Sequence, residues 1–148
     1  MAPRSKPVVD LTARCGCGAV TLSVRGRIYA MFMCSCEDCQ KMTGTGHSTV
    51  ALAAARDVTV TGETRSFERP ADSGATFIRH FCPTCGTGLF AQSSRASELR
   101  MLPVGLFGAD ASRFDPNQLS FARSHRDWDL IAADLPRHDT YRDKGEIA

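Results

Sequence analysis

The chain has no long apolar run. Its longest runs, Ile28–Cys34 and Val50–Ala55, have seven and six residues, about a third of what a membrane-spanning helix needs. The opening Met1-Ala2-Pro3-Arg4-Ser5-Lys6-Pro7 has no apolar signal core, so secretion is not expected and a cytoplasmic location is. Charge of one sign is not in excess: the formal net charge is +2, too little to argue for nucleic acid as partner. Aromatic residues make up only 7%, and no stripe of alternating basic and aromatic residues is present, which also counts against nucleic acid. No stretch is of low complexity, and no 3.6-residue period is sustained over a helical length. What remains is ordinary globular composition, 43% hydrophobic and 23% charged. A chain of 148 residues can bury a core without metal or disulfide help. The first thirty residues hold five Lys or Arg against one acid, a mildly basic start that can attract an anion.

Short runs rich in Val, Thr, Phe and Leu alternate with turn signals. They predict strands over Val9–Arg14, Ala19–Val24, Ile28–Met33, His47–Leu52, Val58–Thr61, Thr64–Glu68, Thr76–Phe81, Gly88–Gln92, Leu99–Val104 and Leu119–Arg123. Gly26, Gly44, Pro70, Gly74, Gly105 and Asp115-Pro116-Asn117 act as breakers. One short helix is expected at Glu37–Thr43, stopped by Gly44. The fold class is therefore mainly β. The organisation expected is an N-terminal arm over 1–10, one domain over 11–136, and a polar tail over 137–148 that can fray.

Seven cysteines stand out, as Cys15-x-Cys17, Cys34-x-Cys36-x-x-Cys39 and Cys82-x-x-Cys85. An odd number cannot pair completely, and disulfides are rare in a reducing compartment. Inert buried thiols would not cluster at such spacings. Metal ligation remains. On an extended strand, residues i and i+2 share a face, so C-x-C can chelate one ion. C-x-x-C does so around a tight turn, which Pro83 and Gly86 favour. Thiolates select zinc or iron–sulfur. A closed structural zinc takes four ligands, and a catalytic one takes three and leaves a position open. Seven divides as four and three: Cys15, Cys17, Cys82 and Cys85 as a closed site, and Cys34, Cys36 and Cys39 as a local triplet. The triplet can also recruit a fourth thiolate or a histidine, His47 being the nearest, although His47 reads better as a plain strand residue with its ring hydrogen-bonded to backbone.

Three motifs stand in order: Cys15-Gly16-Cys17-Gly18-Ala19-Val20, then Cys34 to Cys39 followed by Gln40-Lys41-Met42-Thr43-Gly44, then Arg79-His80-Phe81-Cys82-Pro83-Thr84-Cys85-Gly86-Thr87-Gly88-Leu89-Phe90. Together they resemble the glutathione-dependent formaldehyde-activating (GFA) family, which also includes centromere protein V. The resemblance runs from about Leu11 to Trp128. It implies an Mss4-like, tent-shaped β fold with two zinc ions per chain. One would be structural, at Cys15, Cys17, Cys82 and Cys85; the other, at Cys34, Cys36 and Cys39, would have an open position. It implies a carbon–sulfur lyase that condenses formaldehyde with glutathione to S-hydroxymethylglutathione, and reverses that reaction. The partner implied is a small thiol such as glutathione.

A zinc held by three thiolates is a weak Lewis acid for water but can hold an incoming thiol as thiolate. The thiolate can attack an aldehyde, and a general acid must protonate the resulting oxygen. By proximity in sequence the catalytic candidates are His47 and Glu37, with Asp38 beside them. Lys41 is a candidate for a substrate carboxylate. Arg79, His80, Arg126 and Trp128 are candidates to line a cleft. The alternative function is a zinc-stabilised module that binds protein or nucleic acid without catalysis.

Overall fold

The computed structural model describes residues 6–142. Nine strands and one α-helix follow in order: β1 (Val8–Arg14), β2 (Thr21–Cys34), α1 (Glu37–Thr43), β3 (Ser48–Ala54), β4 (Val58–Thr61), β5 (Arg65–Pro70), β6 (Thr76–Phe81), β7 (Gly88–Ser93), β8 (Leu99–Pro103) and β9 (Leu119–Ser120). The fold is mainly β, as the short alternating runs predict. Its sheet runs β1-β2-β3-β8-β7-β6-β5, with β4 and β9 paired to β2 off that path. Among the described residues no helix is long and apolar enough to cross a membrane.

β2 is the spine. Its N-terminal half pairs antiparallel with β1 and β4; its C-terminal half pairs with β3 and, in parallel, with β9. The sequence predicts two strands here, separated at Gly26. One strand runs through instead, because Gly26 is held in register opposite Val9. Gly26 is used for close approach rather than for a turn. Its φ is 153°, and a Cβ there would collide with the Asp57 carboxylate.

Leu119–Arg123 departs the other way. β9 stops after Ser120 because Phe121 takes a left-handed backbone (φ 57°, ψ 44°) and Ala122–Ser124 form a 3₁₀ turn. A bulky residue persists there only when its surroundings fix it. Phe121 N–H donates to Thr140 C=O, Ser124 N–H donates to Phe121 C=O, and its ring meets Tyr141 edge-on at 4.8 Å. The residues 137–142 thus lie along β9: His138 N–H donates to Leu119 C=O, and Ala122 N–H to His138 C=O. The expected fraying of the rest of that tail concerns residues 143–148, outside the described part, as are residues 1–5 of the arm.

α1 has the predicted bounds. Cys36 is its N-cap, with Glu37 and Asp38 in the first turn where the helix dipole favours acids. Gly44 ends it in the left-handed conformation (φ 71°).

Alternation along the strands makes two faces. Met31 of β2, Ala51 and Ala53 of β3 and Leu102 of β8 face the core, with Leu22, Val24 and Ile28 behind them. The 3₁₀ segment Val104–Arg113, which no sequence signal predicted, covers this side with Val104 and Phe107. The other face carries Phe32 and Cys34 of β2, Ser48 and Val50 of β3, and Met101 of β8, all lining a cavity.

At Gly62, in the turn after β4, φ is 112° and a Cβ would lie 2.5 Å from Ala19 O and 3.1 Å from Val20 Cα. Backbone atoms cannot yield cheaply. Gly62→Ala should destabilise the chain by about 1–3 kcal/mol, read as a lower urea midpoint with an unchanged slope.

Candidate metal centres and their cavity

Two hairpin loops build the first centre. The β1–β2 loop carries Cys15 and Cys17; the β6–β7 loop carries Cys82 and Cys85. The loops have the same construction. Cys15 N–H donates to Val20 C=O, and Cys82 N–H to Thr87 C=O, each closing over five residues. Gly18 (φ 79°) and Gly86 (φ 78°) supply the left-handed turn inside each. C-x-C here sits in a loop, not on the extended strand that its spacing suggested. The two loops are tied by Gly16 N–H donating to Thr87 Oγ1, 3.0 Å. All four Sγ atoms lie within 4.8 Å of one another. Cys17 Sγ is 3.6 Å from Cys15 Sγ and 3.7 Å from Cys82 Sγ, too far for a disulfide. The edge of a tetrahedron with zinc–sulfur bonds of ≈ 2.3 Å is about 3.8 Å, so the spacing fits one zinc ion. The Thr87 hydroxyl and backbone hold the Cys85 thiol down at about 5, which favours the thiolate a metal requires.

The second centre is local. Cys34 ends β2, Cys36 caps α1, and Cys39 lies in its first turn. Their sulfurs fall within 4.8 Å of one another, and no His, Asp or Glu of the described residues joins them at that distance. Phe121, Phe32 and Tyr141 pack around them. Cys34 and Cys39 donate to Cys36 and hold its thiol at about 2, and Arg69 adds a smaller pull. Cys34 is pushed far up by Cys36, then Cys39, then burial. Cys39 is drawn down by Cys34, but Cys36 and burial outweigh this and leave it at about 11. Three sulfurs this close cannot all become thiolates without a cation between them, and a soft divalent ion is the cation such donors select.

Beside this centre lies a cavity of about 700 Å³, within the ordinary range for small-molecule sites. The β5–β6 hairpin curls back to enclose it. Arg69 of β5 pairs with Asp38 of α1 at 3.2 Å, Arg123 with Asp72 at 3.1 Å, and Ser73 N–H donates to Tyr141 Oη at 3.0 Å. The walls are largely aromatic and aliphatic. Two cations stand out among them. Arg79 lies over Phe67 at 5.3 Å, and Arg95 over Tyr141 at 4.9 Å. Neither has a carboxylate within 4.0 Å among the described residues.

The candidates from sequence separate here. Arg79, His80 and Asp38 line the cavity; His47, Glu37, Lys41, Arg126 and Trp128 do not. Strand alternation turns Ser48 inward and His47 away. His47 Nδ1 meets Asp129 Oδ2 at 2.6 Å, and His125 Nε2 approaches the same oxygen at 3.3 Å. Glu37 is exposed and 3.8 Å from Arg126. His80 stacks on Phe90, and its Nε2 is buried without a partner. Burial, then Arg100, lowers its pKa. Ser48, Ser120, Arg69, Arg95 and Tyr141 were not singled out in sequence. Nothing local marks them: Ser48, Ser120 and Arg69 reach the cavity through pairing across the sheet, Arg95 from the 3₁₀ turn Ser94–Ala96, and Tyr141 from the segment that follows β9.

The family's sequence profile, described as "Glutathione-dependent formaldehyde-activating enzyme", matches residues 10–124. The chain belongs to this family. A crystal structure of a Rhodobacter sphaeroides protein resembles this GFA-family chain with a TM-score of 0.56 and 18% identity, over 86% of this chain and 100% of that one. That likeness concerns the fold, which is the Mss4-like β fold of the GFA family.

His47→Ala removes one of the two imidazoles on Asp129, a carboxylate only 10% exposed. It should cost about 1–3 kcal/mol of stability while zinc content stays unchanged, measured by thermal melting with metal analysis.

Proposed function

We propose that the chain is a zinc-dependent carbon–sulfur lyase-type enzyme that forms and cleaves a thiol–aldehyde adduct resembling S-hydroxymethylglutathione. One observation carries this reading. Three converging thiols have no fourth protein donor among the described residues, and they open into a cavity of ligand size. Family membership supports glutathione and formaldehyde as the reactants. Cys15, Cys17, Cys82 and Cys85 would hold a structural zinc, and Cys34, Cys36 and Cys39 a second. When bound at the second site, zinc supplies a Lewis acid that lowers the pKa of an incoming thiol.

The chain's own residues do the rest. The aromatic walls exclude water and strengthen every polar contact inside. Arg79 and Arg95, with no carboxylate partner among the described residues, offer charge to an anionic thiol, and glutathione has two carboxylates. The Arg69–Asp38 pair holds α1, and with it Cys36 and Cys39, against the far edge of the sheet. In the forward direction a C–S bond forms, the carbonyl electron pair moves to oxygen, and a proton must arrive there. His47 and Glu37 stand outside the cavity wall and the His80 ring stacks on Phe90, away from Arg79, so we assign the transfer to the thiol's own proton. Reduced thiols in both centres suit a cytoplasmic location.

The direct test is exchange NMR of formaldehyde and glutathione with the zinc-loaded chain. Cross-peaks between free and adduct signals should grow faster than in buffer. A zinc-replete chain with no effect on that exchange would defeat the proposal.

The two centres should respond differently to serine. Cys36→Ser should bind one zinc equivalent in place of two, lose exchange activity, and melt within a few degrees of the parent. Cys85→Ser opens the joint between the loops. Its melting temperature should fall by roughly 10 °C or more, as when a few kcal/mol of metal-linked stability is lost. Calorimetry supplies a further check. Glutathione should bind about tenfold more tightly than its diethyl ester, the worth of one charge-assisted hydrogen bond, and Arg79→Ala should erase most of that gap.

A further inference from the structure

Cys34 ends β2 with a serine on each side. Ser48 of β3 is its antiparallel partner and Ser120 of β9 its parallel partner. Both serines line the cavity. They are 4% and 3% exposed; the Ser120 hydroxyl has no hydrogen-bond partner, and the Ser48 hydroxyl has only the Cys39 sulfur to donate to. Ser35 is also buried with an unpartnered hydroxyl, but it does not line the cavity.

A buried hydroxyl without a partner costs about 1–3 kcal/mol. Alanine at position 120 would avoid that cost and keep the strand. An unpartnered hydroxyl on one flank of Cys34, and on the other one that has only a sulfur to donate to, both on the cavity wall, are not explained by folding. They are explained by a ligand oxygen that completes them.

We infer that Ser48 and Ser120 are the hydrogen-bond donors that receive the oxygen of the thiol–aldehyde adduct on the two flanks of Cys34. This rests on the reading of the three-cysteine centre as a thiol site. As the C–S bond forms, negative charge develops on the former carbonyl oxygen until a proton arrives, and donors already in place stabilise that charge most. In the reverse direction the hydroxyl loses its proton, the C=O bond re-forms, and the thiolate leaves. The serines keep their own protons throughout. The inference narrows the ligand class to a thiol whose oxygen lies within one or two carbons of sulfur. The competing role is donation to a cysteine sulfur, which would make the serines part of metal retention.

The test uses the full chain loaded with cobalt(II), whose visible bands report thiol coordination. It is titrated with 2-mercaptoethanol and with ethanethiol, which lacks the hydroxyl. The parent should prefer 2-mercaptoethanol by about tenfold more than the Ser48→Ala/Ser120→Ala double variant does. Each single variant should fall between. The double variant should hold as much cobalt as the parent and melt within a few degrees of it. An unchanged preference overturns the inference, as does loss of cobalt from the three-cysteine centre in the double variant. If neither thiol alters the spectrum of the parent, the reading of that centre as a thiol site falls, and this inference with it.

Discussion

The joint between the β1–β2 and β6–β7 loops sets the shape of the molecule. In strand order β2 and β7 are separated by β3 and β8, which in a flat sheet is about 14 Å. Yet Cys17 and Cys82 bring their sulfurs to 3.7 Å. The sheet meets that demand only by curling. The Gly16–Thr87 hydrogen bond helps close the loops, but it is a single exposed contact. A metal ion shared by four thiolates would be the strong tie, and it acts on segments 65 residues apart, where loop closure is costly in the unfolded chain.

Curling has a second consequence. It carries β5, the last strand in the order, back toward α1, so that Arg69 reaches Asp38. The inner face of the sheet becomes a cavity wall, and the three-cysteine centre stands at its rim. Fold and site are therefore one construction. The joint bends the sheet, the bent sheet encloses space, and alternation along β2 decides that Cys34 and Phe32 face that space while Met31 faces the core.

The electrostatics of the second centre follow from crowding. Three sulfurs at mutual contact concentrate thiolate character on Cys36 and keep protons on Cys34 and Cys39. A divalent cation would release those protons and leave a centre with one excess negative charge. Arg69, whose charge acts on Cys36, offsets part of that charge. Arg79 and Arg95 lie on aromatic rings rather than against carboxylates, so their charge stays directed to a ligand.

The sequence alone determined what depends on neighbours along the chain. Alternation marked most strands, and Val58–Thr61 and Thr76–Phe81 matched to the residue. Acids at Glu37 and Asp38 with Gly44 beyond bounded α1. Spacing alone divided seven cysteines into four and three, because a chelating pair must be close in sequence to share one ion. Only the tertiary structure decided what depends on pairing across the sheet. Gly26 reads as a breaker, but its pairing with Val9 of β1 keeps β2 whole. His47 reads as the histidine nearest the triplet, but a strand reverses direction at every residue, so one position separates a cavity residue from one bound to Asp129. Ser48, Ser120 and Arg69 come to the centre from strands that no local pattern orders. A distance of one residue along the chain can mean opposite faces, and 86 residues, as from Cys34 to Ser120, can mean adjacent places on one face.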